Sequence, residues 1–257
     1  MNSHRLFGIL LPVLVVALAS CAPKPQAPTP IPTSTPTIAP SATPPPTDTP
    51  TPVPTPSPTP DLRVYDINPR QLLMTKDDLL KDPELKKDRY YLPNQLWIAR
   101  LTNAKIVSEW TVQKGTEYLA ATGRVEGWSV WYNRGTTAVV APEEIGDNVV
   151  LFRTSEGALT LLDRFGNCKS LDTEYTLVES SFKLGDGTNV CQWKEMQSGG
   201  ENRVVYAIEF VNRNVYHRVA GWGWENEIRP DLIEKVAAIL NDNLMALPLS
   251  AKETYEP

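Results

Sequence analysis

Histidine is almost absent from this sequence, which contains only His4 and His217 among its 257 residues. A serine hydrolase needs a histidine base beside its nucleophile, and the chain has no Gly-x-Ser-x-Gly motif to supply that serine. Zinc sites normally draw on several histidines or cysteines, and the sequence also lacks calcium-loop spacing and phosphate-binding glycine motifs. We therefore predict no catalytic residue, no metal site and no cofactor, and we expect His217 to be a packed or edge-strand histidine.

Basic residues are in the minority, since 25 Lys and Arg stand against 30 Asp and Glu, for a net charge of −5. This balance argues against nucleic acid or anionic lipid as the main partner. Three close pairs of carboxylates occur, at Asp77/Asp78, Glu143/Glu144 and Glu225/Glu227. A cell-envelope hydrolase or glycan-modifying enzyme that uses two carboxylates is therefore an alternative function. Adjacent acids arise readily by chance in so acidic a chain, so solvated surface is the favoured interpretation.

No apolar run reaches the roughly 20 residues that a transmembrane helix needs. The run at residues 6–18 follows the positive charge of Arg5 and is typical of a secretory signal peptide. It ends in Leu-Ala-Ser-Cys at Cys21, which resembles the lipobox of bacterial lipoproteins. That resemblance implies cleavage before Cys21 and acylation of its thiol, so we expect a lipid anchor on the extracytoplasmic side of the cell membrane or outer membrane. The alternative is an ordinary secretion signal that happens to end at a cysteine.

Proline is concentrated in one tract, because 16 of the 24 prolines lie within residues 22–60, where they alternate with threonine. Such a segment cannot bury a core. Its composition favours extended polyproline II, so we predict a disordered linker that acts as a stalk. The expected organisation is a signal peptide at 1–20, a lipidated cysteine and linker at 21–60, and a single extracytoplasmic domain at 61–257.

Hydrophobic periodicity in the last segment predicts an α+β fold with a largely antiparallel sheet and helices packed on it. Capping residues Thr75 and Thr154 precede predicted helical turns, and Pro230 suits the first position of a long terminal helix. Residues 221–224 are expected to be a loop, residues 116–122 fit helix or strand, and the structure of 97–107 is left open. Strands are predicted at 72–74, 125–132, 137–141, 149–153, 177–184, 190–196, 204–211 and 215–220.

The order of these elements resembles that of secreted bacterial lipoproteins. The relevant features are a strand entering a helix near Ser155, Gly-Asp before a strand near Asp186, a strand that ends at Arg213-Asn214, and the terminal amphipathic helix. The domain is similar to the extracellular sensor domains of some bacterial receptor kinases and, more distantly, to PsbP/Mog1-like domains. The resemblance implies binding or sensing and seldom catalysis. Its PsbP/Mog1-like component suggests a structural or assembly lipoprotein as a further alternative.

Two cysteines remain once Cys21 is assigned to lipid, namely Cys168 and Cys191. In an oxidising compartment, a pair of cysteines is most simply a disulfide. The alternative is two buried free thiols.

Tryptophan suggests the location of a ligand site, because two indoles lie next to polar groups in Trp222-Gly223-Trp224-Glu225-Asn226. Flat indole faces suit sugar rings or a protein surface, and the neighbouring carboxylate and amide can orient hydroxyl groups. We predict that Trp222, Trp224, Glu225 and Asn226, with Trp128 or Trp131, line any ligand site. The partner would be an unknown protein, glycan or small molecule. The alternative is that the two indoles plug the sheet edge beneath the terminal helix.

Overall fold

The computed structural model describes residues 61–83, 95–109, 111–134, 142–169, 174–197 and 200–257. All of these belong to the second of two compact units into which the chain divides, Ser57–Pro257. The predicted signal peptide, Cys21 and linker lie outside the described residues. Among the described helices, none has the length and apolar character required to cross a bilayer.

Within the described residues, seven strands form one fully antiparallel sheet in the order β1-β2-β3-β7-β6-β5-β4. This arrangement, with helices packed against it, confirms the predicted α+β class. The strands are β1 Gln95–Leu101, β2 Arg124–Asn133, β3 Glu144–Phe152, β4 Thr176–Leu177, β5 Gly187–Met196, β6 Asn202–Asn212 and β7 Val215–Trp224.

Five α-helices accompany the sheet within the part of the chain that the structure describes. They are α1 Lys76–Leu79, α2 Asn103–Glu109, α3 Val112–Thr122, α4 Ser155–Thr160 and α5 Pro230–Met245. The predicted helix starts are confirmed: Thr75 and Asp78 form a reciprocal capping box, and the Thr154 side chain accepts a hydrogen bond from the Gly157 amide. Helix α5 has Pro230 in its first turn, as expected.

The sheet has two faces with different coverings. On what we call the first face, Tyr206, Ile208 and Phe210 of β6 join the core that contains the apolar side of α5. On the second face, Val211 of β6 joins a core built with α3 and α4 at one end of the sheet. Toward the other end of the second face, a small core around Cys191 is flanked by aromatic side chains that stay partly exposed. At that aromatic end of the second face, the sheet is only partly covered.

Some predicted elements are wrong at the margins of the sheet. Residues 72–74 are not a strand: Pro69–Leu72 is a 3-10 turn capped by Asn68, and the Met74 amide donates to the Asp147 carboxylate (3.1 Å) instead of pairing with a strand. The predicted strand at 177–184 is reduced to the two-residue edge strand β4. Residues 135–141, which include the predicted strand at 137–141, lie outside the described residues.

The predicted loop at 221–224 is also wrong, because β7 continues through Trp224, which lies opposite Arg203 of β6. Glycines at 221 and 223 suggested a loop, yet both are needed for close packing. A side chain at Gly221 would lie 2.5 Å from Ile233 of α5, and one at Gly223 would lie 3.0 Å from the backbone of Glu143. The glycines therefore allow neighbouring elements to approach the strand.

The Cys168–Cys191 disulfide is present, which confirms the predicted pairing. It joins the centre of β5 to the segment that follows the π-helical turn Leu161–Phe165. Both cysteines are buried in the small core of the second face. The crosslink therefore fastens the chain after α4 to the floor of the aromatic end.

Candidate ligand-binding site

A concavity of about 340 Å³ lies at the aromatic end of the second face. Strand register places its lining residues, because every second residue of β2, β3, β6 and β7 points to this side. The lining residues are Trp131, Glu144, Tyr175, Val205, Arg218 and Trp222.

Trp131 is paired in register with Gly146 of the neighbouring strand β3. A Cβ atom at Gly146 would sit 2.3 Å from the Trp131 ring, so only glycine lets the indole lie flat against the sheet. On its other side Trp131 stacks with Trp97 of β1, with ring centroids 6.4 Å apart and planes inclined by 23°. Trp97 is 45% exposed, so this stacked pair extends the aromatic surface toward solvent.

The second wall of the concavity is Trp222, whose ring contacts the guanidinium of Arg203 at 4.3 Å from its centroid. The same guanidinium is 4.3 Å from the centroid of Trp224, so one arginine bridges both indoles. The Glu143 carboxylate accepts a hydrogen bond from Arg203 (2.5 Å) and holds it in place. This Trp-Arg-Trp arrangement fixes the orientation of the Trp222 ring before any ligand arrives.

Arg218 supplies a positive charge at the base of the concavity. Its side chain is only 8% exposed, donates to the Tyr175 hydroxyl (2.7 Å), and has its Nε 4.0 Å from the Glu209 carboxylate. That Nε is buried and finds no hydrogen-bond partner among the described residues. Burial raises the pKa of Glu209, although Arg218 and hydrogen bonds from Tyr216 and nearby backbone amides oppose the rise. Arg218 therefore brings a guanidinium to the site and is held there by Tyr175 and Glu209.

Glu144 is the carboxylate that lines the concavity. Burial and the neighbouring Glu143 raise its pKa, while Arg203 acts in the opposite direction. The other predicted carboxylate pairs lie elsewhere. Asp78 belongs to the α1 capping box, and Glu227 pairs with Arg134 at 3.2 Å.

The predicted site residues are only partly brought together. Trp222 lines the concavity. Trp224 lies next to it, and its ring contacts the same Arg203 guanidinium as the ring of Trp222. Glu225 and Asn226 are exposed and do not line it. Hydrogen bonds from Lys194 and Asn202 hold the Glu225 carboxylate and lower its pKa.

Of the two additional tryptophans considered, Trp131 lines the concavity. Trp128 points to the first face, where it packs against the large core beneath the guanidinium of Arg70. Both residues lie on β2 and are three positions apart, so side-chain alternation along the strand places them on opposite faces. Three further residues at the site were not predicted from the sequence: Arg203, Arg218 and Tyr175. Arg203 follows the same odd-numbered alternation as Val205 and could have been found from it, whereas Tyr175 precedes a two-residue edge strand and had no such signal.

His217 is a packed histidine, as predicted, and lies on the central strand β7. It is 1% exposed, its Nδ1 lies 3.1 Å from Asp147 Oδ1, and its ring stacks on Phe210 with centroids 5.0 Å apart. It belongs to the first face and is therefore separated from the concavity by the sheet. No cluster of three or more metal-ligating side chains occurs within the described ranges.

No protein-family model matches this sequence, and no curated protein matches it. Among solved structures, the chain is similar to the extracellular domain of PknH from Mycobacterium tuberculosis, with 13% identity and a TM-score of 0.37. The similarity covers 72% of this chain and 98% of that one. The matched structure is a receptor-kinase extracellular domain, the kind of domain to which the sequence was predicted to be similar.

Proposed function

We propose that this chain is a lipid-anchored extracytoplasmic protein that binds a glycan, without catalysis, at the aromatic end of its second face. The observation that carries the proposal is the concavity between Trp131 and Trp222, with Arg218 at its base. Saccharide rings present flat apolar faces that stack on indoles, and their hydroxyl groups pair with charged side chains. Trp131 and Trp222 are half-buried and braced by Trp97 and Arg203, so little conformational entropy is lost on binding.

Binding is favoured over glycoside hydrolysis because the concavity has one lining carboxylate, Glu144, among the described residues. Hydrolysis requires a second carboxyl group across the scissile bond, about 5 to 9.5 Å away. The adjacent Glu143 is engaged with Arg203. Glu144 with its raised pKa instead suits a hydrogen bond to a sugar hydroxyl.

Removing either tryptophan wall is expected to weaken glycan binding at least about tenfold, or about 1.4 kcal/mol, because aromatic anchors dominate small interfaces. Trp131→Ala and Trp222→Ala are compared with the full chain by calorimetric titration against neutral and carboxylated oligosaccharides. The carboxylated probes test the contribution of Arg218 and are expected to bind more tightly.

Trp128→Ala is the matched control, because Trp128 lies on the same strand as Trp131 but on the opposite face. It is expected to leave affinity unchanged while the protein remains folded by circular dichroism. Equal loss of binding in Trp128→Ala would contradict the site. Failure of every oligosaccharide to bind would overturn the glycan proposal and favour a protein partner or an assembly role.

The proposed lipid anchor at Cys21 is tested by a substitution of that cysteine. Cys21→Ser removes the thiol that would carry the lipid, so the protein is expected to move from the membrane fraction to the soluble fraction after cell lysis. Ser20→Ala keeps a small residue before the cysteine and is expected to remain in the membrane fraction. A Cys21→Ser protein that stays with the membrane would contradict lipid anchoring.

A further inference from the structure

A second concavity of about 360 Å³ lies on the first face, between the 3-10 turn and the C-terminal half of α5. Six of its eleven lining residues are aliphatic, among them Leu72, Leu240 and Leu244. The other five are polar: Gln71, Thr75, Asp78, His217 and Asn243. A pocket of this size that combines apolar surface with placed polar groups has the form of a small-molecule site.

His217 provides a second, independent indication of a ligand. Its side chain is 1% exposed and lines the pocket, and the Asp147 carboxylate lies 3.1 Å from Nδ1. Asp147 also accepts a hydrogen bond from the Met74 amide, which fixes its orientation. In the tautomer that carries its ring proton on Nδ1, the ring donates to Asp147 and Nε2 is left as a hydrogen-bond acceptor.

Nε2 of His217 is buried and has no hydrogen-bond partner among the described residues. Stacking on Phe210 with an interplanar angle of 5° fixes the ring, so Nε2 cannot turn toward another group. A buried acceptor without a donor is costly, and a ligand that supplies the donor recovers that cost.

The charges around the pocket select the ligand class. Burial raises the pKa of Asp78, but hydrogen bonds from Thr75, Asn243 and Lys81 outweigh that effect and leave the pKa lowered. Asp78 is therefore a carboxylate at neutral pH, and Asp147 lies behind His217. Asp78 is paired with Lys81 at 3.1 Å, and the described lining residues include no lysine or arginine to attract an anionic ligand. The aliphatic part of the lining disfavours a strongly hydrated ligand.

We propose that this pocket binds an uncharged, mainly apolar small molecule that donates one O–H hydrogen bond to Nε2 of His217. The site is separate from the glycan site, since the two concavities lie on opposite faces of the sheet.

The test is a nitrogen-15 NMR titration of the His217 imidazole in the full chain carrying His4→Gln, which leaves His217 as the sole histidine. The probes are hexanol, its isomer methyl pentyl ether, which has no donor, and hexanoate, which is charged. Hexanol is expected to shift the Nε2 resonance in a saturable way and to bind about tenfold more tightly than the ether, as expected for one hydrogen bond.

Leu247→Trp is the matched variant, because it fills the pocket from its partly exposed edge without altering His217. It is expected to abolish the hexanol shift while the amide spectrum remains that of a folded protein. Equal binding of hexanol and the ether would overturn the hydrogen bond, and tighter binding of hexanoate would overturn the assignment of a neutral ligand. Absence of any Nε2 shift up to the solubility limit of hexanol would overturn the site. Trp222→Ala is expected to leave these shifts unchanged, which separates this result from that of the glycan test.

Discussion

Replacing Cys168 and Cys191 together with alanine is expected to lower the free energy of unfolding by about 3 kcal/mol. The disulfide joins residues separated by 23 positions, and removing it releases that loop in the unfolded chain. Both cysteines are buried beside Val205 and Ala207, so the crosslink also holds the floor of the aromatic end. Urea unfolding of the two proteins at neutral pH measures the difference.

Reduction of the wild-type chain is the control for this experiment. Dithiothreitol is expected to destabilise the wild type by a similar amount and to leave the double variant unaffected. A double variant within 1 kcal/mol of the oxidised wild type would show that the disulfide contributes little to stability. A loss seen in the variant but absent from the reduced wild type would assign the effect to the lost side-chain volume instead.

Asn214→Ala is expected to lower the free energy of unfolding by about 3 kcal/mol or more, because one buried side chain satisfies three backbone groups. Its Oδ1 accepts from the Tyr65 amide (2.8 Å), and its Nδ2 donates to the carbonyls of Tyr65 (3.1 Å) and Phe152 (3.0 Å). These bonds tie the chain around Tyr65 to the β6–β7 turn. Each buried group left without a partner costs about 1 to 3 kcal/mol.

Urea unfolding measures this loss, and hydrogen exchange locates it, because the Tyr65 amide is expected to lose protection. Asn202→Ala is the matched control. Asn202 also uses its amide for a hydrogen bond, to Glu225, but at an exposed position. We expect the control to stay within about 0.5 kcal/mol of the wild type. Equal stability of Asn214→Ala and Asn202→Ala would contradict the role assigned to the buried amide.

Elements with a strong local pattern were predictable from the sequence. Strands β2 and β6 alternate apolar and other residues over long stretches, and α5 combines a helix-start proline with a continuous apolar side. The hydrophobic pattern gave a wrong prediction where apolar residues are buried by tertiary packing without belonging to a strand. Residues 72–74 are apolar because Leu73 and Met74 enter the core of the first face, and their burial does not require a strand.

The candidate site was predictable to a smaller extent. Trp222 was expected at a ligand site because of its side chain, but it was placed in a loop, since the glycines on either side of it favour turns. The structure uses those glycines to let Ile233 and Glu143 approach β7. Alternation along β6 assigns Arg203 to the second face, but its contact with Trp224 depends on the strand pairing that sets the two residues opposite each other.

The sequence by itself determined the α+β class and the positions of the long strands and of the terminal helix, and the structure confirmed the disulfide that it predicted between Cys168 and Cys191. These follow from period, capping and composition, which are local properties of the chain. Only the tertiary structure decided that β7 lies between β3 and β6, which brings His217 to Asp147 and Trp222 into the concavity that Trp131 shares. The physical reason is that alternation assigns a residue to a face, whereas the order of strands depends on how the whole sheet and its helices pack.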